Sequence, residues 1–261
     1  MWVRYLFQHI LIKHHPQSLT TKLIRSKFKG KSKFLILGSG SSINQVDVND
    51  FSDKHTVSIG FNFWIYNRFI PDIYVFEIKP RETSRFIFWT ELIKKRELEL
   101  RNTIFIIKDS ELDARLNEEL ISRYFPTSLR KNLMFSKDAP LIGKNLFRIM
   151  VIYMLRKITY PNAVIKYRGT LSFCLELLPR NSDVTLFGVD FDSMPHFWNA
   201  EDYIDIGLEK FQIPDSLGGK LHRTVDPRYG VTIDCFVKIR ARLRKLYITH
   251  INPGNIDLSN T

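Results

Sequence analysis

Short, wholly apolar runs alternate with longer amphipathic ones along most of the chain. Phe34, Leu35, Ile36 and Leu37 form an unbroken apolar run that stops at Gly38, as expected of a strand covered on both faces. Comparable runs at 56–61, 73–76, 103–107, 184–189 and 246–251 predict five further strands. Between them, apolar positions recur at helical spacing over 83–100, 145–158, 170–178 and 231–245, the last with a basic face. Strands and helices in alternation predict an α/β fold, a single doubly wound, mostly parallel sheet of Rossmann-like type. Two stretches depart from the pattern. Residues 111–143 mix helix and turn signals, with Pro126 and Pro140 as breakers. Residues 192–230 are rich in aromatics, glycine and proline, and read as a lid inserted after the strand ending at Asp190, over the sheet edge where such folds bind ligands.

Charge divides the chain in two. Of the net +12 carried by 261 residues, +8 lies within the first 33, where Arg4, Lys13, Lys22, Arg25, Lys27, Lys29, Lys31 and Lys33 occur with no acid. Val3, Leu6, Phe7, Ile10 and Leu11 share one face if this segment is helical. An apolar face followed by lysines suits the surface of an anionic membrane, although packing against its own domain would satisfy the same pattern. The division is therefore an arm, 1–32, and a domain, 33–261, with the lid at about 192–230. No apolar stretch reaches the ~18 residues of a membrane span. Cys174 and Cys235 are too few for a disulfide scaffold and read as reduced thiols. Basic residues without an interleaved aromatic platform argue against nucleic acid as a partner.

The first strand runs into Gly38-Ser39-Gly40-Ser41-Ser42. Glycines at a strand-to-helix turn let a ligand approach the backbone, and the helix start offers N–H groups suited to a phosphate. The turn lacks the Lys of a P-loop and the third glycine of a dinucleotide fingerprint. Asn62 beyond the second strand, Arg168, Thr170 and Ser172 around a helix start, and Asp190 at a strand end would point into the same cleft. Thr170 is a natural N-cap. Each could instead be an ordinary cap or turn former.

Together these segments resemble the bacterial lipooligosaccharide sialyltransferases of glycosyltransferase family 42. That family has a Gly-Asn-Gly-Pro-Ser loop, a Cys-Asn after strand two, an Arg-Ile-Thr-Ser-Gly segment and a Ser-Gly-Ile-Asp-Phe-Tyr strand end leading to a lid. The resemblance spans about residues 33–253. It implies a GT-A-type variant of the fold and transfer of sialic acid from CMP-sialic acid with inversion, without a metal or other cofactor and with a histidine base. Residues Gly38, Ser39, Gly40, Ser41 and Ser42 would hold the CMP phosphate and ribose. Asn62, Arg168, Thr170, Ser172, Phe191, Trp198 and Asn252 would contribute to donor binding, and Asp190 and His222 would be catalytic. The implied partners are a CMP-sugar donor, a glycan or glycolipid acceptor and, through the arm, an anionic membrane on the cytoplasmic face of a bacterial inner membrane; self-association stays open. In this chain Asp192 and Trp198 stand where the family carries two lid tyrosines. Tyr203, Tyr229, His196 or Arg223 would have to assist the departing phosphate instead.

An imidazole suits deprotonation of a sugar hydroxyl near neutral pH. Of seven histidines, His9, His14 and His15 belong to the arm, His55 precedes a strand, and His250 alternates with apolar neighbours in the last one. His196 and His222 remain, and the resemblance favours His222. Two other readings stay open. Asp190 and Asp192 form an Asp-x-Asp that could hold a divalent cation against a UDP-sugar, or the domain could bind a nucleotide without turning it over.

Overall fold

The computed structural model describes residue 26 and residues 28–78, 83–109, 114–141, 145–159, 164–190, 196–209 and 230–251. Eight strands form one sheet: β1 (Lys33–Leu37), β2 (Thr56–Phe61), β3 (Ile73–Ile78), β4 (Ile104–Asp109), β5 (Leu133–Leu141), β6 (Val164–Tyr167), β7 (Asp183–Phe187) and β8 (Tyr247–Ile251). Their order is β6-β5-β4-β3-β2-β1-β7-β8, and every pairing is parallel. Among the described residues, the α-helices include α1 (Thr83–Lys95), α2 (Ala114–Tyr124), α3 (Leu146–Thr159), α4 (Thr170–Leu177) and α5 (Ile233–Arg244).

Side-chain alternation along the strands builds two cores, one on each face of the sheet. Phe34 and Ile36 of β1 join Ile149 and Tyr153 of α3, Phe173 of α4 and Phe236 of α5 on one face. Leu35 and Leu37 join Trp89 of α1, Ile121 of α2 and the aromatic group Phe63, Trp64 and Tyr66 on the other. A sheet covered on both sides explains why its strands are apolar throughout rather than at alternate positions.

Three expectations need correction. Region 111–143 contains α2 and β5, with Pro140 inside the strand. β5 pairs with β4 through 133–137 and with β6 through 138–141, so Pro140 has a neighbour on one side only, where a missing N–H is tolerated. The helix expected over 83–100 ends at Lys95 and resumes as a 3-10 turn, Glu99–Asn102. Between them the Arg96 guanidinium, 5% exposed, donates to the carbonyls of Ile65 (2.6 Å) and Asn67 (2.5 Å) and pairs with Glu99. β7 stops at Phe187, so Asp190 lies three residues past the strand, beyond Gly188 at φ 57°.

On the α3–α4–α5 face, Glu176 is fully buried and pairs with Lys157, Arg240 and Arg244. Arg240 also lies 4.4 Å over the Tyr153 ring. The basic pattern of α5 therefore has two parts: Arg240 and Arg244 tie helices together, while Arg242 and Lys245 face solvent and Lys238 is half-buried. Both cysteines are free thiols.

Candidate functional site

The order in which strands are added reverses between β1 and β7, which run parallel. From β1 the order runs outward through β2 to β6 on one side and through β7 to β8 on the other. The segments leaving these two central strands, 38–42 and 188–190, lie side by side at the carboxyl edge of the sheet, the edge where open α/β sheets place ligands.

The glycine turn lies at that edge, against the segment that follows β7. Gly38 and Gly40 donate their N–H groups to Phe187 O and Gly188 O, both at 2.7 Å. Ser42 donates to Asp190 twice, from its backbone N–H (3.2 Å) and from its hydroxyl (2.5 Å). A Cβ at Gly38 would collide with the Gly188 carbonyl, and one at Gly40 with the Asp190 carboxylate. Both glycines are thus required by close approach of the chain to itself. The segment that follows is a five-residue 3-10 turn, Ser41–Gln45, rather than an α-helix, and the Asp190 carboxylate already satisfies an N–H at its start. The turn's open polar group is the Ser41 hydroxyl, buried and without a hydrogen-bond partner.

Just past the adjoining strand β2, Asn62 adopts a left-handed conformation, φ 57°, which asparagine tolerates better than most residues. Its carbonyl accepts from the Tyr74 hydroxyl, which in turn accepts from Ile65 N–H (3.0 Å) and Trp89 Nε1 (3.2 Å). Burial raises the Tyr74 pKa well above the ordinary tyrosine range, so the phenol stays protonated as the donor to Asn62. The Asn62 side chain faces Thr170, whose hydroxyl donates to Oδ1 at 3.4 Å and accepts from Lys108 Nζ at 2.8 Å. Lys108 is fully buried and pairs with Glu77 (3.4 Å), which Lys166 also reaches (2.8 Å). Asn62 and Glu77 line a cleft of about 460 Å³, counted to its open mouth, with Phe63, Phe76, Arg85, Phe86 and Trp89. Arg85 lies 5.0 Å over the Phe63 ring.

The structure brings together Gly38, Ser39, Gly40, Ser41, Ser42 and Asp190 at the ends of β1 and β7, and joins Asn62 to Thr170 past the end of β2. Other expected residues have structural work. Gly169, not Thr170, is the N-cap of α4. The Ser172 hydroxyl donates to Tyr167 O (2.7 Å) and accepts from Tyr167 N (2.8 Å), fixing the left-handed turn at Arg168 (φ 59°). The Arg168 guanidinium covers the Tyr167 ring at 5.5 Å. Trp198 is 1% exposed, stacked on His196 (4.4 Å) and packed edge-on against Phe63 (5.5 Å). The described part of the expected lid, 196–209, is tied down: Phe197 donates to Ser39 O (3.0 Å), Asn44 donates to Asp202 (2.7 Å), and the Tyr203 hydroxyl donates to Tyr66 O (3.0 Å). His196 bridges to Gly40 through the backbone. His250 contacts Val189 O through Nε2 at 3.0 Å. Residues Phe191, Asp192, His222, Arg223, Tyr229 and Asn252, and the arm to residue 25, lie outside the described residues.

Sequence reasoning missed Glu77, Lys108 and Lys166. Glu77 and Lys108 each follow an apolar strand run, the same signal that singled out Asn62 and Asp190. Among the described residues, no three His, Cys, Asp or Glu side chains are arranged to hold a metal ion, and no helix is long and apolar enough to cross a membrane.

No family model matches the chain, and no curated protein is significantly similar to it. Solved structures similar to it include sialyltransferase CstII of Campylobacter jejuni in complex with the substrate analogue CMP-3FNeuAc. That structure is 12% identical over 87% of this chain and 86% of its own, with a TM-score of 0.47. An apo alpha-2,3-sialyltransferase of the same organism is 10% identical over 87% and 78%, with a TM-score of 0.46. The monofunctional alpha-2,3-sialyltransferase Cst-I, also from Campylobacter jejuni, is 12% identical over 87% and 78%, at 0.43. These solved structures are sialyltransferases, the class that the sequence motifs resemble.

Proposed function

We propose that the chain is an inverting glycosyltransferase that moves sialic acid, or a related acidic sugar, from a CMP-sugar to a hydroxyl of a bacterial surface glycan. One observation supports this reading most. Of the residues matching the motifs of the resembling family, Gly38 to Ser42 meet Asp190, and Asn62 meets Thr170, at the carboxyl edge of the sheet where the strand order reverses.

The chemistry asks for few groups. A CMP phosphate leaving a tertiary anomeric carbon departs dissociatively, so donors around the phosphate matter more than a strong nucleophile. Three N–H groups of the turn, those of Gly38, Gly40 and Ser42, are already spent on residues 187–190, so its serine hydroxyls gain weight as donors. The Ser41 hydroxyl is buried with no other partner. Arg85 at the cleft matches the carboxylate of an acidic sugar in charge. The acceptor hydroxyl needs partial deprotonation, assigned to His222 by the resemblance; His196, which bridges to Gly40, is the alternative base. The arm would hold the enzyme at an anionic membrane carrying its glycolipid acceptor.

Donor hydrolysis measured across CMP-sugars and UDP-sugars, with and without EDTA, tests the proposal. Turnover of a CMP-linked acidic sugar that survives EDTA is expected. Turnover of UDP-sugars abolished by EDTA would replace it with a metal-dependent enzyme, and turnover of none with a binding module.

A further inference from the structure

Helix α3 carries an apolar stripe on the side facing away from the sheet. Phe147 (76% exposed), Val151 (42%), Met154 (57%), Leu155 (54%) and Ile158 (76%) recur at i, i+4, i+7, i+8 and i+11, which places them within roughly 100° of one another around the helix. The opposite side is spent on the core, through Ile149 and Tyr153. So regular an exposed stripe on one helix marks a contact surface rather than scattered surface residues.

Charge identifies what fits it. The helix, Leu-Phe-Arg-Ile-Met-Val-Ile-Tyr-Met-Leu-Arg-Lys-Ile-Thr, contains no acid, and the exposed Arg148 borders the stripe. The neighbouring α5, joined to α3 through the Glu176 ion cluster and the Arg240–Tyr153 contact, exposes Arg242, Leu243 and Lys245. Its one acid is Asp234, in the first turn. The arm has the same character, apolar with six cations and no acid before residue 30. It leads into Phe28, which is buried in the core cluster that holds Ile149 and Tyr153. A second copy laid on the stripe would bring cation to cation, and the arm could offer no acid to Arg148.

We propose that the exposed face of α3 seats the protein on an anionic lipid bilayer, with the stripe entering the headgroup boundary and Arg148 at its border contacting acidic headgroups. The surface is separate from the glycine turn, and binding there requires no sugar transfer. It would also fix how the protein sits on the bilayer, since α3 packs along β5, whereas an arm alone is only a tether.

The test is co-sedimentation of the full chain with phosphatidylcholine vesicles and with mixed phosphatidylcholine–phosphatidylglycerol vesicles. Wild type should sediment with the mixed vesicles only. The variant Phe147→Glu/Ile158→Glu changes two largely exposed side chains and leaves the core contacts of α3 in place. With the arm intact it should lose at least about tenfold in partition, from lost apolar contact and like-charge repulsion. Hydrolysis of a soluble donor should be unchanged, so the lipid result stands whatever the donor screen finds. Equal partition of variant and wild type would overturn the proposal, as would wild type that ignores anionic vesicles. A variant that only changes from dimer to monomer by light scattering would assign the face to a second copy. One whose arm is merely cleaved faster by trypsin would assign it to the arm.

Discussion

Asp190 and Ser42, 148 positions apart, are joined twice, through the backbone N–H and the hydroxyl of Ser42. This pair stitches the ends of β1 and β7 together, and Gly40 is small because the Asp190 carboxylate occupies the space its Cβ would need. Gly40→Ala is therefore expected to lower the melting temperature without any nucleotide present, at a cost of about 1–3 kcal/mol typical of overpacking. Asp190→Gly in the same chain should recover part of the loss. A Gly40→Ala variant as stable as wild type would refute the packing assignment. The same geometry means that weakened CMP binding in a Gly40 variant reports on packing as well as on phosphate contact.

Loss of the general base typically costs about 10²–10⁴ in rate. His222→Ala is expected to lower kcat by that range with CMP affinity near wild type, and the wild-type rate should fall on the acid side near an imidazole pKa of about 6.5. If His222→Ala keeps more than about a third of kcat, a bound that the loss range above excludes, the base is not His222. His196→Ala is the variant to measure next.

Glu77 and Lys108 should differ in what their loss costs. Lys108→Met leaves Glu77 with Lys166, whereas Glu77→Gln leaves the fully buried Lys108 ammonium without that carboxylate. Removing one partner of a buried pair typically costs about 3–5 kcal/mol when the remaining charge stays buried. Urea denaturation should place Glu77→Gln well below Lys108→Met in stability. The reverse order would show that Lys108, not Glu77, anchors the cluster.

Asp53 has its carboxyl pKa lowered to about 2 by the Thr56 hydroxyl first, then by the His55 N–H and Lys33. A depressed folded-state value stabilises the fold above the unfolded value of about 3.9 and loses that contribution as pH falls toward 2. Carboxyl titration by NMR should find the low midpoint, and Thr56→Val should raise it. An Asp53 midpoint near 3.8 in wild type would show the hydrogen bonds to be ineffective.

Burial pushes the Cys174 thiol up to about 12, although Lys108 nearby pulls the other way. Mass spectrometry after mild alkylation at pH 8 should find Cys235, which is half-buried, modified before Cys174. Cys174 should react only once the chain is unfolded. Equal labelling of both in the native protein would contradict its burial.

The strands nearest the centre of the sheet were legible because burial on both faces demands continuous apolar runs, as in 34–37 and 73–76. β5 was hidden because Ser136, Lys137, Asp138 and Pro140 interrupt it, and the change of partner halfway along is what makes room for Pro140. At the site, Asn62 and Asp190 were legible as polar residues ending apolar runs. Two other meanings were invisible without tertiary contacts. The glycine turn spends the N–H groups of Gly38, Gly40 and Ser42 on Phe187, Gly188 and Asp190, far along the chain, and Ser172 looks like a ligand residue until its hydroxyl is found bonded to Tyr167.

The central position of β1 governs how the chain can fold during synthesis. Lys33 pairs with Thr56 on one side, but its partner on the other is Asp183, 150 positions further along. At about 5–20 residues per second, a ribosome needs about 8–30 s to deliver that second neighbour. Through that interval one edge of β1 stands bare, with apolar Phe34 to Leu37 and their unpaired backbone groups open to any other nascent strand. Yield in cells should therefore depend on translation rate and chaperone supply more strongly than the finished sheet, with both its flanks covered, would suggest.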